Sequence, residues 1–221
     1  GAEINSNFLL MVMLSTIVAA IGLLENNVAV IIGAMVIAPL LGPNIALSFA
    51  TALGDRDLAW SALKTNLAGL GLALIISLVI GFFWPYPLDT NELISRTDVG
   101  LDGIVLALAS GAAAVLSLAS GYSMSLVGVM VAVALLPPTA TLGLMLGAGQ
   151  YQNALGAGLL LAVNVVCVNL SGKLVFLLKR IKPRTWLEKR KARQSMKTYV
   201  IFWLVVLVFL VMVMQVRQTY L

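Results

Sequence analysis

Polar residues that directly follow prolines inside long apolar runs are the ones whose types and spacing could do chemistry in this chain. Asn44 follows Pro39 and Pro43, and Thr139 and Thr141 follow Pro137 and Pro138. Proline lacks an amide donor and clashes with the turn before it, at about 3 kcal/mol in a helix interior. In hydrocarbon each freed carbonyl needs a partner, because an unsatisfied group costs several kcal/mol there. A second half-helix is therefore expected to begin just after each proline pair, with Asn44 and Thr139 as N-caps. Helix N-termini present amide donors and a partial positive charge. Two of them meeting near the bilayer midplane would bind an anion or the acidic end of a polar solute. The carbonyls that end the preceding half-helices would instead suit a cation.

The expected site thus comprises Pro39, Gly42, Pro43, Asn44, Pro137, Pro138, Thr139 and Thr141. Few other polar residues interrupt the apolar runs, which makes those few informative. Asn164 and Asn169 lie too deep to reach an interface. They serve either hydrogen bonding between helices or the lining of the same pathway. Lys64, Asn66 and Lys173 lie about two turns from the expected cytoplasmic end. The lysines either snorkel to that interface or form a cationic inner vestibule that collects anions. Glu25 sits in the tight Glu25-Asn26-Asn27 link, as an exposed turn residue or as a gating or proton-coupling carboxylate.

No catalytic constellation accompanies them. The chain has no histidine, no paired carboxylates inside an apolar run and no phosphate-cradling glycine loop, so it is not expected to be an enzyme. Without histidine and with Cys167 as the single cysteine, neither a metal centre nor a cofactor is expected. Cys167 reads as a small packing residue.

The elements that must hold these residues are membrane helices. Apolar residues make up 61% of the chain and charged residues 10%, with a mean hydropathy of +1.02. Soluble domains run at roughly 45–50% and 25%. A span needs about 20 apolar residues, which predicts helices over 8–24, 28–53, 58–84, 103–119, 123–148, 154–178 and 200–216.

The first six form a repeat. At an offset of 95 residues, Gly33-Ala34-Met35-Val36 returns as Gly128-Val129-Met130-Val131, and Leu40-Leu41-Gly42-Pro43 as Leu135-Leu136-Pro137-Pro138. Ser15 likewise pairs with Ser110, Ala19 with Ala114, Gly54 with Gly149 and Ala59 with Ala154. The expected fold is an all-α polytopic membrane protein: a 3+3 inverted repeat with a proline-broken second helix in each copy, plus a seventh helix. Its parts are a first repeat over 1–84, an acidic external loop over 85–102, a second repeat over 103–178, a basic cytoplasmic loop over 179–198 and the last helix over 199–221. Three spans per copy force the second copy to insert upside down. If the proline segments are re-entrant hairpins, the copies run parallel.

Charge sets the orientation. Of the net +5, nine basic residues fall within 179–197 against Glu188 alone, whereas the 85–102 loop carries Asp89, Glu92, Asp98 and Asp102 against Arg96. A basic loop between spans is the cytoplasmic topology signal and a partner for anionic lipid head groups, not a nucleic-acid site. That puts the N-terminus on the cytoplasmic side of the membrane. Ala107, Gly111 and Ala114 share one face of the fourth helix, and Gly143 with Gly147 makes a small-x-x-x-small step. These faces serve either packing within the chain or contacts in a homo-oligomer.

The stretch Gly22-Leu23-Leu24-Glu25-Asn26-Asn27-Val28-Ala29-Val30-Ile31-Ile32-Gly33-Ala34-Met35-Val36-Ile37-Ala38-Pro39-Leu40-Leu41-Gly42-Pro43, followed by Gly54-Asp55, resembles the prokaryotic membrane family called domain of unknown function 389. The resemblance covers nearly all of the first six spans. It implies a multi-pass membrane protein and, as the family's name says, no settled activity. Members often carry a cytoplasmic ferredoxin-like domain before the membrane region. None precedes the first span here, as in a short member or a piece of a longer chain. The paired half-helices also look like those of seven-plus-seven inverted-repeat anion and nucleobase transporters, by fold analogy only. At half their length, an oligomer would complete the scaffold. The expected function is a small secondary transporter or channel for an anionic or polar solute. The alternatives are a cation pathway that uses freed carbonyls, or a membrane anchor and oligomerisation module for a regulatory domain.

Overall fold

The computed structural model describes residues 4–120, 124–178 and 186–220, which form nine helices with no strand among them. They are α1 (Ser6–Leu24), α2 (Val28–Ile37), α3 (Leu41–Leu53), α4 (Arg56–Phe83), the short α5 (Asn91–Ile94), α6 (Leu101–Ala119), α7 (Met124–Gly147), α8 (Tyr151–Leu178) and α9 (Trp186–Tyr220). Starts are set by local chemistry. Asn5, Asn27, Asp55 and Thr90 each accept a hydrogen bond from the backbone amide three residues on, at the heads of α1, α2, α4 and α5.

Among the described residues four helices are long and apolar enough to cross a bilayer: α1, α4, the 25-residue stretch Tyr151–Val175 of α8 and the 20-residue stretch Thr198–Arg217 of α9. Taken together, α2 and α3 make a fifth, bent by 57° at the break. The apolar stretches Leu101–Ser117 of α6 and Val131–Gly147 of α7 are shorter. The chain is an all-helical membrane protein.

The repeat is visible in the helix boundaries. An offset of 95 carries Ser6–Leu24 onto Leu101–Ala119 and Arg56–Phe83 onto Tyr151–Leu178, matching at both ends. It also carries Gly54, at φ 76°, onto Gly149, at φ 73°. Both glycines take the left-handed conformation that ends one helix before the next begins.

The two proline segments do not match. In the first, Pro39 holds Ala38 extended, at φ −64° and ψ 121°, and the chain breaks between α2 and α3. The second half-helix then starts at Leu41, not after Pro43. Pro43 sits in its first turn, where a missing amide costs nothing because no intrahelical acceptor faces it. In the second segment the expected interruption is absent: α7 runs through Pro137 and Pro138. The carbonyl of Ala134, left free by Pro138, accepts a hydrogen bond from Asn164 Nδ2 of α8 at 2.9 Å. A neighbouring helix thus replaces the missing donor, as it does in membrane bundles.

The last helix also begins earlier than expected. α9 starts at Trp186, so the second half of the basic loop is helical backbone continuous with the final span. Its Leu, Glu, Lys, Arg, Ala and Gln are strong helix formers. Lys179, Arg180, Lys182 and Arg184 of that loop lie outside the described residues.

The core forms where α7 meets α4, α8, α1 and α2. The small-residue faces pack within the chain. Ala107, Gly111 and Ala114 are buried, with Gly111 against Val168 and Ser171 of α8, and Gly143 and Gly147 lie against α4. A shell of exposed Leu, Ile, Val and Phe on α4, α6 and α9 faces outward, as lipid contact requires.

Candidate functional site

Four of the expected site residues meet at one cavity of about 410 Å³: Asn44 of α3, Asn66 of α4, and Asn169 and Lys173 of α8. Asn44 lies one turn into α3 and is not its N-cap. The cap position belongs to Leu40, which makes no side-chain capping bond. Asn44 Nδ2 instead donates to the Leu40 carbonyl at 2.8 Å and to Asn66 Oδ1 at 3.0 Å. This amide pair ties the bent segment to α4.

Lys173 is the largest fully buried side chain, at 0% exposure. Its Nζ lies 3.5 Å from the Asn169 carbonyl, 5.2 Å from the Trp203 ring and 5.9 Å from the Tyr199 ring. Among the described residues no carboxylate lies within ion-pair distance of it. Asn169, 1% exposed, donates through Nδ2 to the Val165 carbonyl, while its Oδ1 has no partner. A buried ammonium held only by a carbonyl and aromatic faces, beside an unsatisfied amide oxygen, is an incomplete polar site.

The cavity has an aromatic and apolar remainder, including Trp60, Leu67, Phe202 and Trp203, with Arg56 at its edge. Sequence reasoning missed α9 as a wall. Only the spacing of four between Tyr199 and Trp203, which puts both on one helix face, could have hinted at a shared cation.

Asn164 and Pro138 line a second cavity of about 310 Å³, together with Ala134, Ser110 and the acidic residues Glu92, Asp98 and Asp102. Arg96, in the same wall, is paired with Glu92 at 2.7 Å. Neighbouring residues of α8, Asn164 and Val165, therefore line different cavities.

The remaining expected residues stand apart from both cavities. Thr139 is buried within α7, where its Oγ1 donates to the Leu135 carbonyl at 2.7 Å, so it caps nothing. Thr141 is buried with its hydroxyl unpartnered. Pro39, Gly42, Pro43 and Pro137 shape backbone and line neither cavity. Lys64 is exposed, with its Nζ 5.3 Å from the Trp60 ring, so Asn66 and Lys173 alone represent the expected inner vestibule. Glu25 is the exposed C-cap of α1. Among the described residues no group of three His, Cys, Asp or Glu side chains is placed to hold a metal.

The Asn164 bond gives a direct test. Asn164→Leu leaves the Ala134 carbonyl without its donor, an expected loss of about 1–3 kcal/mol. Thermal unfolding in detergent measures it, and an unchanged melting curve would show that α7 passes its prolines without help from α8.

The sequence pattern of the family described as "Domain of unknown function (DUF389)" matches residues 35–170. The "Uncharacterized protein MJ0678" of Methanocaldococcus jannaschii is 40% identical over 202 residues, covering 91% of this chain and 63% of that protein. The chain therefore spans less than two thirds of that relative's length. No solved structure matches it.

Proposed function

This chain belongs to the DUF389 family, and from that premise we propose that it moves an anionic or polar solute across a prokaryotic plasma membrane, as a small secondary transporter or a channel. The observation that carries the reading is the incomplete polar site: the buried Lys173 ammonium and the unpartnered Asn169 Oδ1 at one cavity with the Asn44–Asn66 pair. An anion supplies Lys173 with the counter-charge that no carboxylate among the described residues provides. The asparagine amides give a polar solute donors and acceptors at fixed positions. The site lies beside the bent segment of the first copy rather than between two half-helix N-termini. Uptake into proteoliposomes of purified protein tests the reading, and gradient dependence then separates transporter from channel. Absence of flux for every anion and cation tried, with protein correctly inserted, would leave a membrane anchor as the function.

The two copies of the repeat insert with opposite orientation, and the chain works as a homo-oligomer without enzymatic activity. Support for the inversion is the three helical units per copy together with the charge asymmetry of the two polar loops. The N-terminus, the basic segment and the Lys173 cavity then face the cytoplasm, and the acidic cavity faces out. Cysteines introduced at Ser6, Ser95 and Ser195 check this. Labelling of Ser95→Cys from the same side as the other two would refute the inverted arrangement. The basic segment should also favour anionic over zwitterionic vesicles by about 1 kcal/mol per well-placed Lys or Arg. Equal binding to both would remove lipid head groups as its partner.

A second reading rests on the acidic cavity. Val133 and Ala134, whose carbonyls face the missing amides of Pro137 and Pro138, line it with Asp98 and Asp102. Backbone oxygens below carboxylates suit a cation that enters from outside. Cation flux insensitive to Lys173 substitution would favour this reading.

A further inference from the structure

We propose that the Lys173 cavity takes an amphiphilic anion, a carboxylate or phosphate head on an alkyl chain, which enters sideways from the bilayer between α4 and α9. The proposal rests on the anion reading above and adds its substrate class and entry route. Apart from Arg56, the polar lining consists of Lys173, Asn169 with its unpartnered Oδ1, and the Asn44–Asn66 pair. The rest of the lining is side chains that suit an alkyl chain, among them Leu63, Leu67, Leu70 and Phe202.

The helix arrangement leaves the cavity a side opening. α4 and α9 both pack on α3 but barely touch one another. Trp60, Leu67 and Phe202 line the cavity and are nevertheless 58%, 60% and 54% exposed, so the same side chains border both the cavity and the lipid-facing surface. At its far end α9 is secured. Arg217 donates to the Thr97 carbonyl at 2.9 Å and to the Gln152 carbonyl at 3.2 Å, and Met214 is buried. At the cavity end, Ile201, Phe202 and Val205 are exposed. α9 presents exposed apolar side chains along its length, and the side opening lies where exposed residues also line the cavity, at Trp60, Leu67 and Phe202.

Charge and depth complete the match. Arg56, at the first turn of α4, and Lys173, five residues before the end of α8, are both cations on the lining. A head group drawn from the interface by Arg56 finds its counter-charge deeper, at Lys173, while its chain stays among apolar side chains. A small hydrophilic anion gains nothing from that apolar wall.

Quenching of tryptophan fluorescence by dibrominated stearate tests the proposal in zwitterionic nanodiscs. The protein would carry Trp84→Phe and Trp186→Phe, which retains Trp60 and Trp203 at the cavity. Quenching should be saturable and reversed by palmitate but not by acetate. Across a carboxylate series, affinity should rise up to about fourfold for each added methylene that becomes buried. Lys173→Met should weaken binding at least tenfold. Leu67→Cys shortens one lining side chain and should weaken binding only modestly, whereas a bulky maleimide attached there should block the opening and abolish binding; Cys167 is buried and stays unlabelled. Competition by acetate as strong as by palmitate, or binding untouched by both the Lys173 variant and the Leu67 label, would overturn the proposal. Lys173-dependent flux of small anions without chain-length preference would overturn it while leaving the transport reading intact. Absence of both flux and binding would remove the two together.

Discussion

Replacing Lys173 by methionine is expected to cut anion flux at least about thirtyfold and to leave the protein folded, with stability unchanged or raised. Burying an ammonium costs several kcal/mol even after relaxation, and a paired carboxylate is the usual compensation. Lys173 lacks one among the described residues and has only the Asn169 carbonyl at the edge of hydrogen-bond range and two aromatic rings beyond 5 Å. Cation–π contact of this kind returns about 0.5–2 kcal/mol, less than the desolvation. Methionine fills a similar volume without the charge, so the fold loses a cost rather than a support. For the solute the sign reverses. Removing one member of a buried, desolvated charge pair typically costs 2–5 kcal/mol of binding, roughly thirtyfold to several thousandfold. Proteoliposome uptake and thermal unfolding read the two effects separately. Undiminished uptake would take Lys173 out of the pathway. A large fall in melting temperature with lost uptake would make it a structural residue.

The opposite signs matter because they identify where sequence and fold disagree locally. Natural chains depart from the rules of burial mainly at sites where function requires it. A lysine in an apolar helix can be read in sequence as snorkelling, since its stem reaches an interface within about two turns. Whether it does so depends on what lies across from it. Here α9, which is outside the repeat, brings Trp203 and Tyr199 over the ammonium. Nothing local to Lys173 encodes that.

Other features were legible because they are local. The expected helices over 8–24, 58–84, 103–119 and 154–178 match α1, α4, α6 and α8 to within three residues at each end, and left-handed glycines recur at the repeat offset. The prolines singled out Asn44, and the scarcity of polar residues in apolar runs singled out Asn66, Asn169 and Lys173. The proline segments show the limit. Both copies carry a proline pair in related positions, yet α3 starts ahead of Pro43 and α7 runs through Pro137 and Pro138. The difference has two sources: Pro39, which holds Ala38 extended at the break, has Ala134 as its equivalent in the second copy, and the Ala134 carbonyl is satisfied by Asn164, thirty residues away on another helix. The sequence equivalent of Asn164 in the first copy is Gly69, which offers no side-chain donor. Reading a break from proline alone neglects the donors that other helices bring.

Adding a single methyl group at Gly147 or Gly81 is expected to destabilise the bundle, because both glycines lie where α4 and α7 meet at backbone contact. A Cβ on Gly81 would lie 2.2 Å from the Leu144 carbonyl oxygen, and one on Gly147 would lie 2.2 Å from the Leu78 carbonyl oxygen and 2.6 Å from the Phe82 amide. Both obstacles are backbone, so no side chain can turn aside and the helices must separate. Between membrane helices the attraction is packing and weak hydrogen bonding, without a hydrophobic drive, and it falls off quickly with separation. Overpacking of this kind costs about 1–3 kcal/mol per methyl group, against roughly 1 kcal/mol gained from the better helix propensity of alanine. Gly71 provides the control: it lies in the same helix as Gly81 with nothing within 4 Å of its would-be Cβ. Gly71→Ala should therefore be neutral or stabilising, whereas Gly81→Ala and Gly147→Ala lower the melting temperature in detergent and a larger side chain prevents folding. The consequence reaches the site, because α4 carries Asn66, whose 3.0 Å bond to Asn44 depends on where that helix sits. Weaker solute binding should accompany the loss of stability at Gly81 and Gly147 but not the change at Gly71. Equal melting temperatures for all three variants would mean that α4 and α7 are not held at backbone contact.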